Sequence, residues 1–351
     1  MRTGPRYTMQ MGWKYSMKCL VLCVLFSFNV LAQSPESEVH VAPLKKPAAP
    51  PPTNGVKGTS LEAVHDDPAL KTHEKPIKVD VDLVLVNVTV TDSMNRLVTG
   101  LEKENFALTE VNIAQEIKHF ASEDAPISLG VIFDISGSMS NKIDKSKLAV
   151  VEFFKTANIK DEFFVITFSD KPQLLADFTS SIEDVQGKLA FTVPRGRTAL
   201  LDAVYLGINK MHEAKYPKKA LLIISDGGDN RSRYTDNEIK NLVREADVQI
   251  YAIGIFDTNY NTPEEIRGPF LLGELTDATG GRTFTISDVN ELADVASKIG
   301  VELRNQYVIG YRPTNPEHDG RWRKIKVKLI PPRGLPPLFV HAKTGYYAPQ
   351  P

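Results

Sequence analysis

The stretch Ile127-Ser128-Leu129-Gly130-Val131-Ile132-Phe133 is an almost uninterrupted apolar run that ends in Asp134. A strand with so little polar alternation needs cover on both faces, the situation at the centre of a parallel sheet. The residues that follow extend the pattern. A helical stretch at 141–158 groups Ile143, Leu148, Val151 and Phe154 on one face, and residues 163–168 form a second buried strand. A short edge strand is expected at 173–178, then a helix at 199–213 with Leu200, Val204, Ile208 and Met211 at helical spacing. A strand at 220–224, a helix at 236–246 and a strand at 248–255 come next, followed by helices at 271–279 and 289–304. Strands alternating with helices predict βαβ units, hence an α/β fold with a doubly wound, mostly parallel sheet over 126–304.

Both flanks of this block read as strands only. Residues 79–92 are strongly β-forming, but the apolar parity changes within them: Val79, Val81, Leu83 and Leu85 give way to Val84, Val86, Val88 and Val90. Such a switch predicts a bulge or a strand buried on both faces. A turn at 93–96 and short strands at 106–108 and 115–120 follow. After Arg304, strands are expected at 306–311, 322–330 and 338–346, separated by turns rich in Pro and Gly. The economical architecture is one small all-β domain built from 79–125 and 305–347, with the α/β domain inserted between its halves.

The first 78 residues belong to neither unit. Arg2, Arg6, Lys14 and Lys18 precede an apolar run from Cys19 to Ala32, closed by Val30-Leu31-Ala32. A charged region, a short apolar region and small residues at the end predict a secretory signal peptide over 1–32. Residues 33–78 are Pro-rich, with Pro50-Pro51-Pro52, and lack an apolar period, so a disordered linker is expected there. Cleavage after Ala32 would remove Cys19 and Cys23, the only two cysteines, leaving packing and metal rather than disulfides to hold the chain. The net charge of −1 offers no basic surplus for a nucleic-acid backbone. No apolar run reaches 18 residues, so no spanning helix is expected in the mature chain. An exported protein, periplasmic or secreted, is the expectation.

Ligands of open α/β sheets bind beyond the carboxyl ends of the strands. Just past the expected strands stand Asp134, Ser136 and Ser138, in Asp134-Ile135-Ser136-Gly137-Ser138, and Asp226, in Ser225-Asp226-Gly227-Gly228-Asp229; Thr198, in Gly196-Arg197-Thr198-Ala199, stands before the second long helix. Two carboxylates and several hydroxyls are hard oxygen donors without His or Cys, which favours Mg²⁺, with Mn²⁺ or Ca²⁺ as alternatives. A metal so held keeps a position open to a carboxylate from another molecule. The plain alternative is that Ser136, Ser138 and Thr198 cap helices.

The three segments, in this order and on these loops, resemble the von Willebrand factor type A (VWA) domain and its metal-ion-dependent adhesion site. The resemblance covers about 126–304, and the flanks with Gly345-Tyr346-Tyr347 resemble exported bacterial proteins of that type. It implies that Ser136 and Ser138 bind the metal directly, Thr198 directly or through water, and Asp134 and Asp226 partly through water. It also implies a protein partner presenting Asp or Glu. Other motifs fit less well. An EF-hand loop would need Gly and Glu where Met139 and Lys145 stand, and neither a G-x-S-x-G elbow nor a Walker loop occurs. Arg195 and Arg197 either steer an acidic ligand or simply face solvent, and Asp229 and Asn230 either support the site or form a solvated loop. Arg321, Arg323 and Lys324 beside Trp322 read as a basic outer strand face. The expectation is an exported, metal-dependent adhesion or assembly module and not an enzyme. A Mg²⁺-dependent hydrolase and a structural envelope protein are the alternatives.

Overall fold

The computed structural model describes residues 83–122, 124–256, 263–332, 334 and 336–350. The expected signal peptide, the linker and residues 79–82 lie outside the described residues. Six strands form the principal sheet: β5 (Ile127–Asp134), β6 (Glu162–Phe168), β7 (Pro172–Thr179), β8 (Lys218–Ser225), β9 (Gln249–Ile255) and β10 (Thr283–Ile286). Their order is β10-β9-β8-β5-β6-β7. All neighbours are parallel except the edge strand β7, which runs antiparallel to β6.

The apolar run at 127–133 divides its side chains between two cores. Ile127, Leu129, Val131 and Phe133 face one side, where α1 (Ile143–Lys155), α2 (Ile182–Ala190) and α6 (Leu292–Arg304) supply Phe153, Phe154, Leu189 and Ile299. Ile132 faces the other side, under α3 (Leu200–Lys210), α4 (Asp236–Glu245) and α5 (Pro263–Thr279), which supply Val204, Ile239 and Leu272. Gly130 belongs to this second face: a Cβ there would stand 2.4 Å from the Phe164 ring and 2.5 Å from Leu221. Glycine lets those two large neighbours close over the central strand.

The flanking strands build the two remaining sheets. β1 (Val84–Asp92), β4 (Ile117–Ala121), β11 (Tyr307–Tyr311) and β13 (Leu338–Ala342) pair in the order β13-β1-β11-β4. β2 (Phe106–Glu110), β3 (Ile113–Gln115), β12 (Trp322–Leu329) and β14 (Gly345–Tyr347) pair as β14-β12-β2-β3. Both sheets thus combine strands from before and after the α/β block, as an inserted domain requires: they alternate in the first, and meet where β12 pairs with β2 in the second. Val86, Val88, Phe106, Tyr307, Ile309 and Ile325 pack between the sheets.

β1 resolves the parity switch. Its first half pairs with β11 (Val84↔Tyr311 to Val88↔Tyr307), and from Val88 onward it also pairs with β13. No bulge interrupts these ladders; beyond Asn87 the strand is buried on both faces. The expected strand at 338–346 is divided at Lys343-Thr344, where the chain passes from one sheet to the other. Arg323 corrects another expectation. It is buried, on the inner parity of β12 with Ile325, while Lys324, Lys326 and Lys328 face solvent.

The Arg323 guanidinium donates to the backbone carbonyls of Asn315 and Glu317, and a buried carboxylate lies opposite. The buried Glu110 accepts hydrogen bonds from the hydroxyls of Tyr311 (2.7 Å) and Tyr346 (3.0 Å), and the Arg323 guanidinium stands 3.7 Å away. Gly345 lies against Trp322, where a Cβ would meet the ring at 2.4 Å. The Gly-Tyr-Tyr segment is therefore a clasp that closes the second sheet.

Candidate metal site

The strand order reverses at β5: α1 leads from it to β6 on one side, whereas β8 lies on the other. Loops diverging from such a point leave a crevice at the carboxyl ends of the strands. Asp134 ends β5 there and is fully buried. One carboxylate oxygen accepts from the backbone N–H of Ser136 (2.8 Å) and the other from the hydroxyl of Ser225 (2.6 Å). Ser225, the last residue of β8, also accepts from the N–H of Gly227 (3.0 Å), so one hydroxyl ties both loops together. The Ser136 and Ser138 hydroxyls lie 3.0 Å apart.

Thr198 is joined to this cluster through backbone. Arg195 N–H donates to Ile135 O (2.9 Å) and Gly137 N–H to Gly196 O (3.0 Å), which stitches the 195–198 segment to the Asp134 loop. On its other side, Thr198 N–H donates to the Asn230 side chain (3.1 Å), and Thr198 O accepts from the N–H groups of Asn230 and Arg231. Asp229 accepts from Leu201 N–H (2.8 Å) and the Ser232 hydroxyl (2.6 Å). Asp229 and Asn230 therefore order the site's loops. Ser225 and Ser232 complete this framework; Ser225 sits inside the Ser-Asp-Gly segment, whereas no spacing in the sequence marks Ser232.

Asp226 is 8% exposed, and its charge reaches Asp134. Burial first, and then this opposing charge, push the Asp134 carboxyl up to about 7, although Ser136 and Ser225 hydrogen-bond to its ionised form. The buried Lys142 lies beyond the same strand ends, its ammonium 3.4 Å from the Ile255 carbonyl.

The donor set fits a divalent cation, and the capping alternative does not account for it. Ser136 stands at the N-cap of a 3-10 turn (Gly137–Met139) without making a side-chain capping bond; the N-cap of α1 is Lys142 and that of α3 is Ala199. The hydroxyls are thus not spent on helix ends. Gly227 shapes the floor. Its φ is +77°, and a Cβ would stand 2.9 Å from the backbone of Gly268 in α5. A hollow of about 270 Å³ adjoins the site, lined in part by Leu201, Gly227, Asp229 and Arg267. The larger cavity, about 470 Å³, lies near the amino-terminal end of β9 and holds none of the five residues.

Residues 130–228 match the von Willebrand factor type A domain family. The match supports a VWA domain in this chain, and it contains all five candidate ligands. A von Willebrand factor type A protein from Catenulispora acidiphila is 12% identical, with 77% of this chain and 75% of that one covered and a TM-score of 0.46. The conserved hypothetical protein BatB from Bacteroides thetaiotaomicron is 15% identical, with 50% and 98% covered and a TM-score of 0.41. An uncharacterised protein of Borreliella burgdorferi is 21% identical over 207 residues, 52% of this chain. The chain spans 60% of the length of that curated relative.

Proposed function

We propose that the chain is an exported protein-binding module, used in adhesion or assembly, in which Asp134, Ser136, Ser138, Thr198 and Asp226 hold a divalent cation. Mg²⁺ suits this donor set best, with Mn²⁺ or Ca²⁺ as substitutes. The cation would supply an electrophilic position for an Asp or Glu carboxylate of a partner protein. Asp134 and Asp226 provide the negative charge, Ser136 and Ser138 provide neutral oxygens, and Ser225 fixes the orientation of Asp134. The observation that carries this reading is the meeting of two buried carboxylates with the Ser136 and Ser138 hydroxyls in the loops beyond β5 and β8.

The role is read as binding without catalysis. The segments 134–140, 195–198 and 225–230 contain no His or Glu to act as a general base. Export rests on residues 1–32. No helix among the described residues is long and apolar enough to cross a membrane.

Calorimetric titration of Mg²⁺ into the wild type and Asp134→Ala tests the metal. Binding by the wild type alone is expected, since each carboxylate carries half of the fixed charge. Equal binding by both proteins would overturn the reading. A pull-down from the envelope of the source cells, with Mg²⁺ against chelator, would then identify the partner.

A further inference from the structure

The loops that build the site carry exposed arginines that the five-residue set does not use. Arg195, Arg197 and Arg231 are exposed, and none of their side chains has a hydrogen-bond or ion-pair partner among the described residues. Their placement is fixed through backbone: Arg195 N–H donates to Ile135 O, between Asp134 and Ser136, and Arg231 N–H donates to Thr198 O. Arg197 directly precedes Thr198, and its N–H is held by Asp170 (3.1 Å). Gly196 adopts φ +79° against the same carboxylate, a conformation that keeps both arginines of the 195–197 turn beside the site.

The acidic side chains nearby are largely committed to the framework. Asp229 accepts from Leu201 N–H and Ser232, and Asp202 accepts from the N–H groups of Arg233 and Tyr234 and from Arg233 Nε. Asp236 pairs with Arg267. Three exposed arginines thus stand on the loops that surround a centre whose own carboxylates are buried. Arginine at an exposed rim suits recognition of carboxylates, which it can engage in bidentate fashion.

We infer that Arg195, Arg197 and Arg231 form a selective rim, and that the partner segment is an acidic stretch of protein. One carboxylate approaches the Asp134–Asp226 centre and its acidic neighbours meet the arginines. This rests on the metal-dependent reading and adds the partner's local sequence chemistry to it. Rim charges act mainly on encounter rate and salt dependence, so the preference must weaken as ionic strength rises.

The test uses the full chain and two labelled synthetic peptides of equal length. One carries a single Asp among Gly, Ser and Ala; the other carries the same Asp flanked by four Glu. Fluorescence anisotropy is measured in Mg²⁺ and in chelator, at low and physiological salt. The acidic peptide should bind about tenfold tighter at low salt, the combined effect of a few exposed charge pairs. The triple variant Arg195→Gln/Arg197→Gln/Arg231→Gln should lose that preference while keeping its stabilisation by Mg²⁺, because none of the three belongs to the metal set. Equal, Mg²⁺-dependent affinity of the wild type for both peptides would overturn the rim and leave the metal reading standing. An Arg-dependent preference that persists unchanged in chelator would support the rim and overturn the metal reading. A DNA oligonucleotide of matched charge that binds more tightly than the acidic peptide would refute an acidic protein segment as the ligand.

Discussion

Replacing Asp134 by Asn should make the metal-free protein more stable and the metal-loaded protein less so. The folded state raises this carboxyl from 3.8 to about 7. At about 1.4 kcal/mol per unit, ionising Asp134 in the folded protein costs about 4 kcal/mol. Asn keeps an acceptor for one neighbour but gives up a charged acceptor for the Ser136 N–H and Ser225 hydroxyl, a loss of about 1–2 kcal/mol. The net gain is about 2–3 kcal/mol, worth about 4–12 °C in Tm for a protein of this size. The sign follows from the direction of the shift. A carboxyl raised in the folded state contributes stability that is present below pH 3.8 and lost as pH rises through 7, so the Asn variant's advantage should vanish near pH 4 and be complete at pH 8. Thermal unfolding of both proteins at pH 4.5 and pH 8, with chelator and then with Mg²⁺, measures it. Mg²⁺ should raise the Tm of the wild type only. A variant less stable than the wild type at pH 8 in chelator would refute the claim that burial and Asp226 together disfavour the ionised Asp134, and equal Mg²⁺ stabilisation would refute the metal site itself.

Tyr346→Phe removes one of the two hydroxyls on buried Glu110 and should cost about 1–2 kcal/mol in urea unfolding; no loss would show that the clasp is only packing. Gly268→Val should destabilise by at least about 2 kcal/mol, because its Cβ would stand 2.8 Å from the backbone of Gly227, and Mg²⁺ affinity read by calorimetry should fall with it. His341 is held down at about 4 by burial and by Arg282, and lies 3.2 Å from the Thr91 hydroxyl. The unfolded chain therefore takes up a proton on this residue between about pH 6.5 and 4, and stability should fall with pH across that window. His341→Gln should flatten that slope in urea titrations at pH 4.5, 5.5 and 7; an unchanged slope would exclude His341 as its source.

The α/β framework was legible because its strands are so apolar that no exposed arrangement suits them, and because Asp134, Ser136, Ser138 and Asp226 fall just beyond strand ends and Thr198 just before a helix. What escaped has local causes. α2 buries only Val185 and Leu189, too few to mark a face in a polar segment. β10 is four residues long, Thr283–Ile286, and leaves little room for a period. The start of α5 is obscured by Pro263, Gly268 and Pro269, residues that ordinarily signal loops. Arg323 reads outward because charge usually means solvent, and the Asn315 and Glu317 carbonyls with the distant Glu110 turn it inward. For Asp229 and Asn230 the sequence leaves support and a solvated loop both open, because the bonds that decide it, from Leu201 N–H and Thr198 N–H, come from a segment that meets theirs only in three dimensions.

The register of β1 on β11 also bears on how the molecule would carry load. β1 runs antiparallel to β11, with Val84 opposite Tyr311 and Val88 opposite Tyr307. The α/β domain joins β11 at the Tyr307 end, whereas the chain enters β1 at the Val84 end. A pull between the segment before residue 83 and a partner gripping the metal site would drag these strands past one another lengthwise. Antiparallel hydrogen bonds lie across that direction, so the ladder would be strained all at once instead of peeling open pair by pair. β4 leaves for the α/β domain beside β11, with Ala121 opposite Val308, so tension would reach the sandwich through two neighbouring strands drawn the same way. The inserted arrangement would therefore give the proposed binding head a shear-resistant mount.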